Sequence, residues 1–230
     1  MKRSLLKTVF RDTVPVMTGY LFLGTAFGIL LSEAGYGPGW ALLMSLCIYA
    51  GSAQYLLVSL LTSGASLLSS AIATLLLNAR HLFYGISLID TYKNAGRKKP
   101  YMIFALTDET YSLVTQAKLP EGIDRTAYCF WVTLLNHCYW VIGCTLGGLA
   151  GHWLPFDFTG VSFVLTALFV TMFVEQWLST KDHGPALIGV FCTVVCLLIF
   201  GTQLFLIPSM AAIAGLLILR RKTGRRAGDA

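Results

Sequence analysis

Charge is what this sequence has least of. Asp, Glu, Lys and Arg make up 12% of the 230 residues, while apolar types make up 56%. Soluble domains carry about 25% charged residues, so the composition is that of an integral membrane protein. No polar stretch is long enough to enclose a soluble core. Paired cysteines are missing too. Cys47, Cys129, Cys138, Cys144, Cys192 and Cys196 all fall in apolar runs and form no C-x-x-C pair. That spacing indicates neither a disulfide framework nor zinc, and no metal or cofactor is expected. Catalytic motifs are absent as well: no G-x-S-x-G, no H-E-x-x-H, no phosphate loop and no paired aspartates of an intramembrane protease. Gly37-Pro38-Gly39 is a turn without the strand and helix that a nucleotide site requires. An enzyme is therefore not expected.

The charge that is present is biased. Lys and Arg number 17 against 11 acidic residues, a net +6. They cluster at Lys2, Arg3, Lys7 and Arg11, at Lys93 to Lys99, and at Arg220 to Arg226. Those positions flank apolar runs, where basic residues set orientation and meet anionic lipid, so nucleic acid is not an expected partner.

The apolar runs predict an all-α polytopic protein of seven or eight transmembrane helices in a single domain, 1–230. Residues 1–13 read as an amphipathic lead-in. The first run, 14–32, is too long for a signal-peptide core and lacks an A-x-A site, so it reads as a retained span. Its Gly24 and Gly28 form a G-x-x-x-G face that admits a second helix. Runs at 40–61 and 66–89 follow, the former interrupted by Gly51-Ser52-Ala53-Gln54. Residues 101–117 are ambiguous: they carry Asp108 and Glu109 at their middle and a polar stripe suited to a cavity-lining or re-entrant helix. Four more runs lie at 127–150, 159–178, 184–200 and 203–219, the last two joined tightly at Gly201-Thr202.

Topology stays open at this level. Eight crossings put the basic loop 91–100 on the wrong side, and seven put the basic N-terminus there, so the positive-inside rule gives a tie. Both place the C-terminal tail inside. A shift of 119 residues pairs Tyr20 with Tyr139, Gly24 with Gly143 and Gly28 with Gly147. This hints at two related halves, 14–90 and 127–200, joined by 91–126. Transporters often carry such repeats, with the site on interrupted helices at their interface.

Within the third run stands Asn78-Ala79-Arg80-His81. A charge at the centre of a spanning helix costs roughly 2.5–3.5 kcal/mol, so Arg80 is expected to face a protein-lined or watery cavity. Its planar donor fork suits a carboxylate; the plainer account is a structural tie to helix-end carbonyls or another helix's carboxylate. Asn78 and Arg80 are about 200° apart on a regular helix, so both face one cavity only if the helix breaks there or protein surrounds it. Tyr84 lies one turn beyond Arg80. His81 titrates near neutral pH and is able to relay a proton. Asp108 and Glu109 are candidates to carry one, or counter-ions to Arg80. Gln54, in the small-residue break, is a candidate polar-ligand contact. Glu175 is a weaker candidate, read in preference as a solvated interfacial residue. Asn136, His137 and Tyr139 read as interhelical hydrogen-bonding groups.

With these residues in view, the chain resembles the AzlC family, the large subunit of two-component branched-chain amino acid exporters. The likeness rests on Pro15 with Gly24-Thr-Ala-Phe-Gly28, Tyr49-Ala-Gly-Ser-Ala-Gln54-Tyr55, Asn78-Ala-Arg-His81 with Tyr84-Gly85, and Leu106-Thr-Asp-Glu-Thr110. The C-terminal half matches in hydropathy more than in motif. The resemblance implies a bacterial inner-membrane permease expelling leucine, isoleucine and valine, driven by the proton gradient, with a small AzlD-like partner of about four spans. Arg80, Asn78, Gln54 and Tyr84 would then contact substrate, and Asp108, Glu109 or His81 would carry the proton. A carrier of another small solute, or a non-transport assembly subunit, are the competing readings.

Overall fold

In the computed structural model, the described residues are 2–117, 119–153, 182–228 and, between 154 and 181, 166–167, 170–171, 173–174, 177–178 and 180. Within helices, the side chains of residues 2–3, 80, 82–83, 202–204, 206–207, 210 and 221–228 are outside the description. The expected run 159–178 and Glu175 fall largely or wholly outside the described residues. Every regular element among the described residues is helical.

The chain divides into two packing units, Met1–Ala65 with Leu77–Leu165, and Ser66–Leu76 with Thr166–Ala230. The first is built on two long helices, α1 (Lys2–Glu33) and α8 (Arg125–Trp153). The expected lead-in is part of α1, which runs on through Pro15. Proline is tolerated in this exposed stretch at the loss of one backbone bond. Ser4–Glu33 and Arg125–Trp153 hold 30 and 29 residues and are apolar enough to cross a membrane. At 1.5 Å per residue each reaches about 45 Å, more than the ~30 Å hydrocarbon core.

The two helices run parallel. Asp12 meets Tyr128, Tyr20 meets Trp140, and Ser32 lies against Gly151. The G-x-x-x-G face of α1 has found its partner in two glycines of α8. A Cβ on Gly24 would stand 2.9 Å from the Cys144 nitrogen, and one on Gly143 would stand 2.8 Å from the Tyr20 carbonyl oxygen. A Cβ on Gly28 or Gly147 would overlap the facing backbone outright. Small residues let backbones touch, and dispersion then replaces the hydrophobic force that lipid does not supply.

The expected run 40–61 is not one helix. It is α2 (Pro38–Cys47) and α3 (Gly51–Thr62). With 10 and 12 residues, they reach only about 15–18 Å, half a bilayer core. α2 starts on Pro38, whose missing N–H costs nothing in a first turn. It descends α8 in the opposite sense, with Pro38 and Ala41 against Gly148 and the Ser45 carbonyl against His137. The break falls at residues 48–50, just before the small-residue run, where Tyr49 takes a left-handed φ of 38°. α3 then turns back toward the end α2 came from. Gly51 and Gln54 lie at Trp140, while Tyr55 reaches the Leu23 carbonyl and the Phe27 ring.

Residues 101–117 repeat the device from the opposite end. They belong to α6 (Lys99–Phe104) and α7 (Asp108–Gln116), separated at residues 105–107. α6 advances along α8: Lys98 sits over Phe130 and Phe104 is near His137. α7 returns, with Thr110 opposite Asn136 and the Val114 carbonyl accepting from Arg125. Asp108 and Glu109 therefore stand in the first turn of a new helix, not at the middle of an old one. There the N-terminal partial charge favours acids.

Between these hairpins the run 66–89 forms α4 (Leu67–Asn78) and α5 (Arg80–Ser87), interrupted at Ala79. After α5, Leu88, Tyr92 and Ala95 join a core with Val9 of α1, Met102, Val114 and Tyr128. The loop after α5 thus lies at the end of the unit where α1 and α8 begin.

In the second unit, α9 (Gly184–Leu204) and α10 (Leu206–Gly228) form the expected tight hairpin. The chain leaves helical geometry at Gly201, whose φ of 69° suits glycine. Gly184–Gly201, 18 residues, is the third helix apolar enough to cross. Arg220 of α10 returns to Asp182, bonding both carboxylate oxygens at 2.7 and 2.8 Å. That pair, helped by the Gly184 N–H, holds the Asp182 carboxyl below the usual carboxylate range.

Candidate functional site

Two half-length hairpins entering from opposite ends bring their tips together beside the middles of α1 and α8. The meeting point is polar. From the first tip, Tyr49 stacks on His137 with ring centroids 4.2 Å apart. From the second, Tyr101 bonds His137 Nδ1 at 3.0 Å. His137 Nε2 lies 3.2 Å from the Ser45 carbonyl, so the imidazole is held on both nitrogens by the two hairpins. Tyr49 is buried in its left-handed conformation. Backbone strain of this kind at a bulky residue costs of order 1–3 kcal/mol and is held only where packing over-determines it.

A second cluster lies alongside. Thr107 caps α7, its hydroxyl accepting from the Thr110 N–H at 3.3 Å. Glu109, in the first turn, accepts from the Tyr20 phenol of α1 at 2.6 Å. The same phenol is 2.7 Å from Thr107 Oγ1. Asn136 of α8 donates to Thr110 at 3.0 Å. The Tyr20 ring meets Trp140 edge-on at 5.4 Å, and Trp140 Nε1 donates to Gln54 Oε1 at 2.7 Å. Gln54 and Asn136 are fully buried, yet Gln54 Nε2 and Asn136 Oδ1 have no hydrogen-bond partner among the described residues. Buried polar atoms are rarely left so, and such atoms are able to take a water or a ligand.

The sequence candidates divide accordingly. Gln54 and Glu109 belong to one connected network, although 55 positions separate them in the chain. His81 and Tyr84 belong to another: His81 meets Tyr84 edge-on at 5.9 Å, and Tyr84 stacks on Tyr111 of α7 at 4.5 Å. Ser87 completes that contact by donating to the Tyr111 phenol at 3.1 Å. Thus α5 packs on the helix that begins with Asp108 and Glu109. His81 Nδ1 lies 3.1 Å from the Asn78 carbonyl across the Ala79 interruption. The Asn78 Oδ1 is buried without a hydrogen-bond partner among the described residues. Asp108 is half-buried in the first turn of α7. The Arg80 side chain and Glu175 lie outside what is described.

Sequence reasoning missed Tyr20, Tyr49, Thr107 and Trp140, and read His137 and Asn136 only as interhelical glue. Asn136 does bridge α8 to α7. Tyr20 carried a signal in the 119-residue pairing with Tyr139, but Trp140 and Tyr49 look like ordinary aromatics in apolar runs. The groups gathered here are carboxylate, phenol, imidazole and amide, chemically able to exchange hydrogen bonds with a polar solute. No group of His, Cys, Asp or Glu among the described residues is arranged to hold a metal ion.

A family profile described as "AzlC protein" matches residues 15–154, which contain both hairpins, all of α8 and α1 from Pro15 onward. The "Branched-chain amino acid transport protein AzlC" of Bacillus subtilis is 42% identical over 225 residues, covering 96% of this chain and 89% of that protein. An "Uncharacterized membrane protein" of Helicobacter pylori strain 26695 is 41% identical over 216 residues, 94% of this chain and 95% of that one. "Inner membrane protein YgaZ" of Escherichia coli is 27% identical over 212 residues, 90% and 84% of the respective chains. No solved structure matches.

Proposed function

Because this membrane protein belongs to the AzlC family, we propose that it exports branched-chain amino acids across the bacterial inner membrane, coupled to protons and working with a small AzlD-like membrane subunit. The observation that carries the proposal is the 42% identity, over nearly the whole chain, to a branched-chain amino acid transport protein. The geometry supports a carrier. Half-helices whose N-termini meet at mid-depth are a way to satisfy a buried polar solute with backbone and dipoles. α3 and α7 both begin there.

In this reading α1, residues 66–87 and α8 cross the membrane, and α2–α3 and α6–α7 are re-entrant hairpins. The parallel run of α1 and α8 supports it, since an odd number of crossings must lie between them. On this reading the charges no longer tie: Lys2, Arg3, Lys7, Arg11, Lys93, Arg97, Lys98, Lys99 and Arg125 would share one face, which the positive-inside rule would make cytoplasmic. The loops at 34–37 and 63–66, on the other face, carry no Lys or Arg. The contact of Gly24 with Gly143, and of Gly28 with Gly147, supports reading 14–90 and 127–200 as related halves.

Arg80, with Asn78, Gln54 and Tyr84, would hold the solute's polar groups. Asp108, Glu109 and His81 would carry the proton, and Glu175 is a weaker candidate. The apolar side chain would lie among aliphatic residues. One methylene there is worth about 1–3 kcal/mol, so leucine, isoleucine and valine would be handled alike.

The test is efflux of preloaded leucine from cells expressing the chain with its partner, at matched membrane levels, with and without an uncoupler. Arg80→Ala removes a charge-assisted contact of about 1.5–3 kcal/mol and is expected to lower efflux about tenfold or more. Asp108→Asn is expected to abolish the uncoupler-sensitive part. Unchanged efflux in both variants would make these charges structural. No efflux of any aliphatic amino acid from the wild type would favour another solute or an assembly role.

A further inference from the structure

Tyr20 touches the second hairpin directly and is linked to the first through Trp140 of α8. Its phenol donates to Glu109 Oε2 at the start of α7, and its ring rests on Trp140, which holds Gln54 at the start of α3. Tyr20 is 5% exposed, Trp140 4% and Gln54 0%. The path from the carboxylate to the amide therefore runs through two rigid aromatic side chains packed away from solvent. Tyr20 has a close backbone seat: its carbonyl abuts Gly143 of α8, where any Cβ would crowd it. Gln54 Oε1 is occupied by Trp140, which leaves Nε2 as an open buried donor. A donor without an acceptor among the described residues fits an oxygen of a solute carboxylate or carbonyl.

We propose that Tyr20 and Trp140 are positioning residues that couple a proton on Glu109 to a carboxylate or carbonyl oxygen bound at Gln54 Nε2. This rests on the reading of the chain as a proton-coupled carrier. With Glu109 ionised, the phenol is held by a charge-assisted bond, roughly twice as strong as a neutral one. The Tyr20 ring then braces Trp140, and Trp140 orients Gln54. A proton arriving from one aqueous side forms an O–H bond on the Glu109 carboxylate and removes its charge. The acid is then itself a donor, so the phenol turns to Thr107, 2.7 Å away, and the brace on Trp140 slackens. Release of the proton to the other side restores the first arrangement. Among the described residues, the groups around Glu109 are these. Tyr20 of α1 and Tyr49 of the first tip are within electrostatic reach. Asp108 is its neighbour on α7 and Tyr101 comes from α6. α8 presents Asn136, Trp140 and His137, the last held by Tyr101 and the Ser45 carbonyl.

The experiment uses the chain with its small partner in liposomes, and radiolabelled leucine as the probe. Two fluxes are compared: counterflow, which needs no net proton movement, and net flux driven by a pH gradient. In Tyr20→Phe, which keeps the ring and removes the phenol, the ratio of gradient-driven flux to counterflow is expected to fall about tenfold, the worth of a hydrogen bond to a charged group. Its pH profile is expected to flatten. Trp140→Phe, which removes the donor to Gln54, is expected to raise the KM for leucine more than it changes the maximal rate. Should Tyr20→Phe fail to reach the membrane, Glu109→Gln must show the same fall in ratio. A wild-type ratio and pH profile in the variant tested overturns the coupling and leaves the carrier reading standing. Wild-type protein without counterflow of any amino acid overturns the carrier reading and this inference with it.

Discussion

At the scale of single residues, the sharpest constraints are places where nothing fits. A methyl group on Gly147 would land on the Thr25 carbonyl of α1, whereas one on Gly19 meets nothing within 4 Å. Gly147→Ala is therefore expected to force α1 from α8 and cost about 1–3 kcal/mol, the usual range for overpacking. Gly19→Ala is expected to be neutral or slightly stabilising, because alanine is the better helix former by about 1 kcal/mol. Thermal unfolding of the two variants in detergent checks this; equal midpoints would mean the helices part more easily than their contact indicates. Gly24 and Gly28 were legible in the sequence as a packing face, because the four-residue spacing puts both on one side of a helix. Their partner was not, because Gly143 and Gly147 lie over a hundred residues away and packing alone decides which small faces meet. The unsatisfied Gln54 amide was half legible: its small-residue surroundings marked a break, but the Trp140 bond that leaves Nε2 open is a tertiary fact.

At the scale of elements, breaks matter more than helices. α7 exists as a separate helix because Thr107, extended at φ −109° and ψ 172°, caps it. Thr107→Ala removes the cap, and caps of this kind are worth about 1 kcal/mol. Hydrogen exchange in the first turn of α7 is expected to quicken about fivefold in that variant, and Thr107→Ser is expected to restore it. Unaltered exchange in Thr107→Ala would show that Tyr20 and Asn136 hold the turn without the cap. Polar residues within an apolar run signalled where 40–61 and 101–117 depart from plain spans. The reversal of direction at each break was not legible, since periodicity reports the face of a helix and not the heading of the next one. The interruption at Ala79 is milder, with φ −56° and ψ −28° still helical, so α4 and α5 follow one another without such a cap.

At the scale of the molecule, the proposed sidedness rests on the hairpins. Because each returns to the end from which it entered, the N-terminus, the loop after α5 and the loop before α8 lie together. In a chain with its native cysteines replaced, a membrane-impermeant maleimide applied to intact cells is expected to label Ala34→Cys and to spare Asn94→Cys and Glu121→Cys. Labelling of Asn94→Cys but not Glu121→Cys would mean that α6–α7 crosses, returning the charges to the tie that simple crossing models produce.

Composition was enough to establish a helical membrane protein, and the spacing of its motifs enough to place it in a family, because apolar length and local residue order are one-dimensional properties. Charge counts alone left the orientation open, since they weigh loops without saying which loops share a face. Packing adds what they lack: two glycine faces set α1 parallel to α8, half-length helices fold back on that frame, and the proposed orientation rests on that arrangement. The same folding made neighbours of Gln54, Glu109, Tyr20 and Trp140, for a hydrogen bond depends on distance in space and not along the chain.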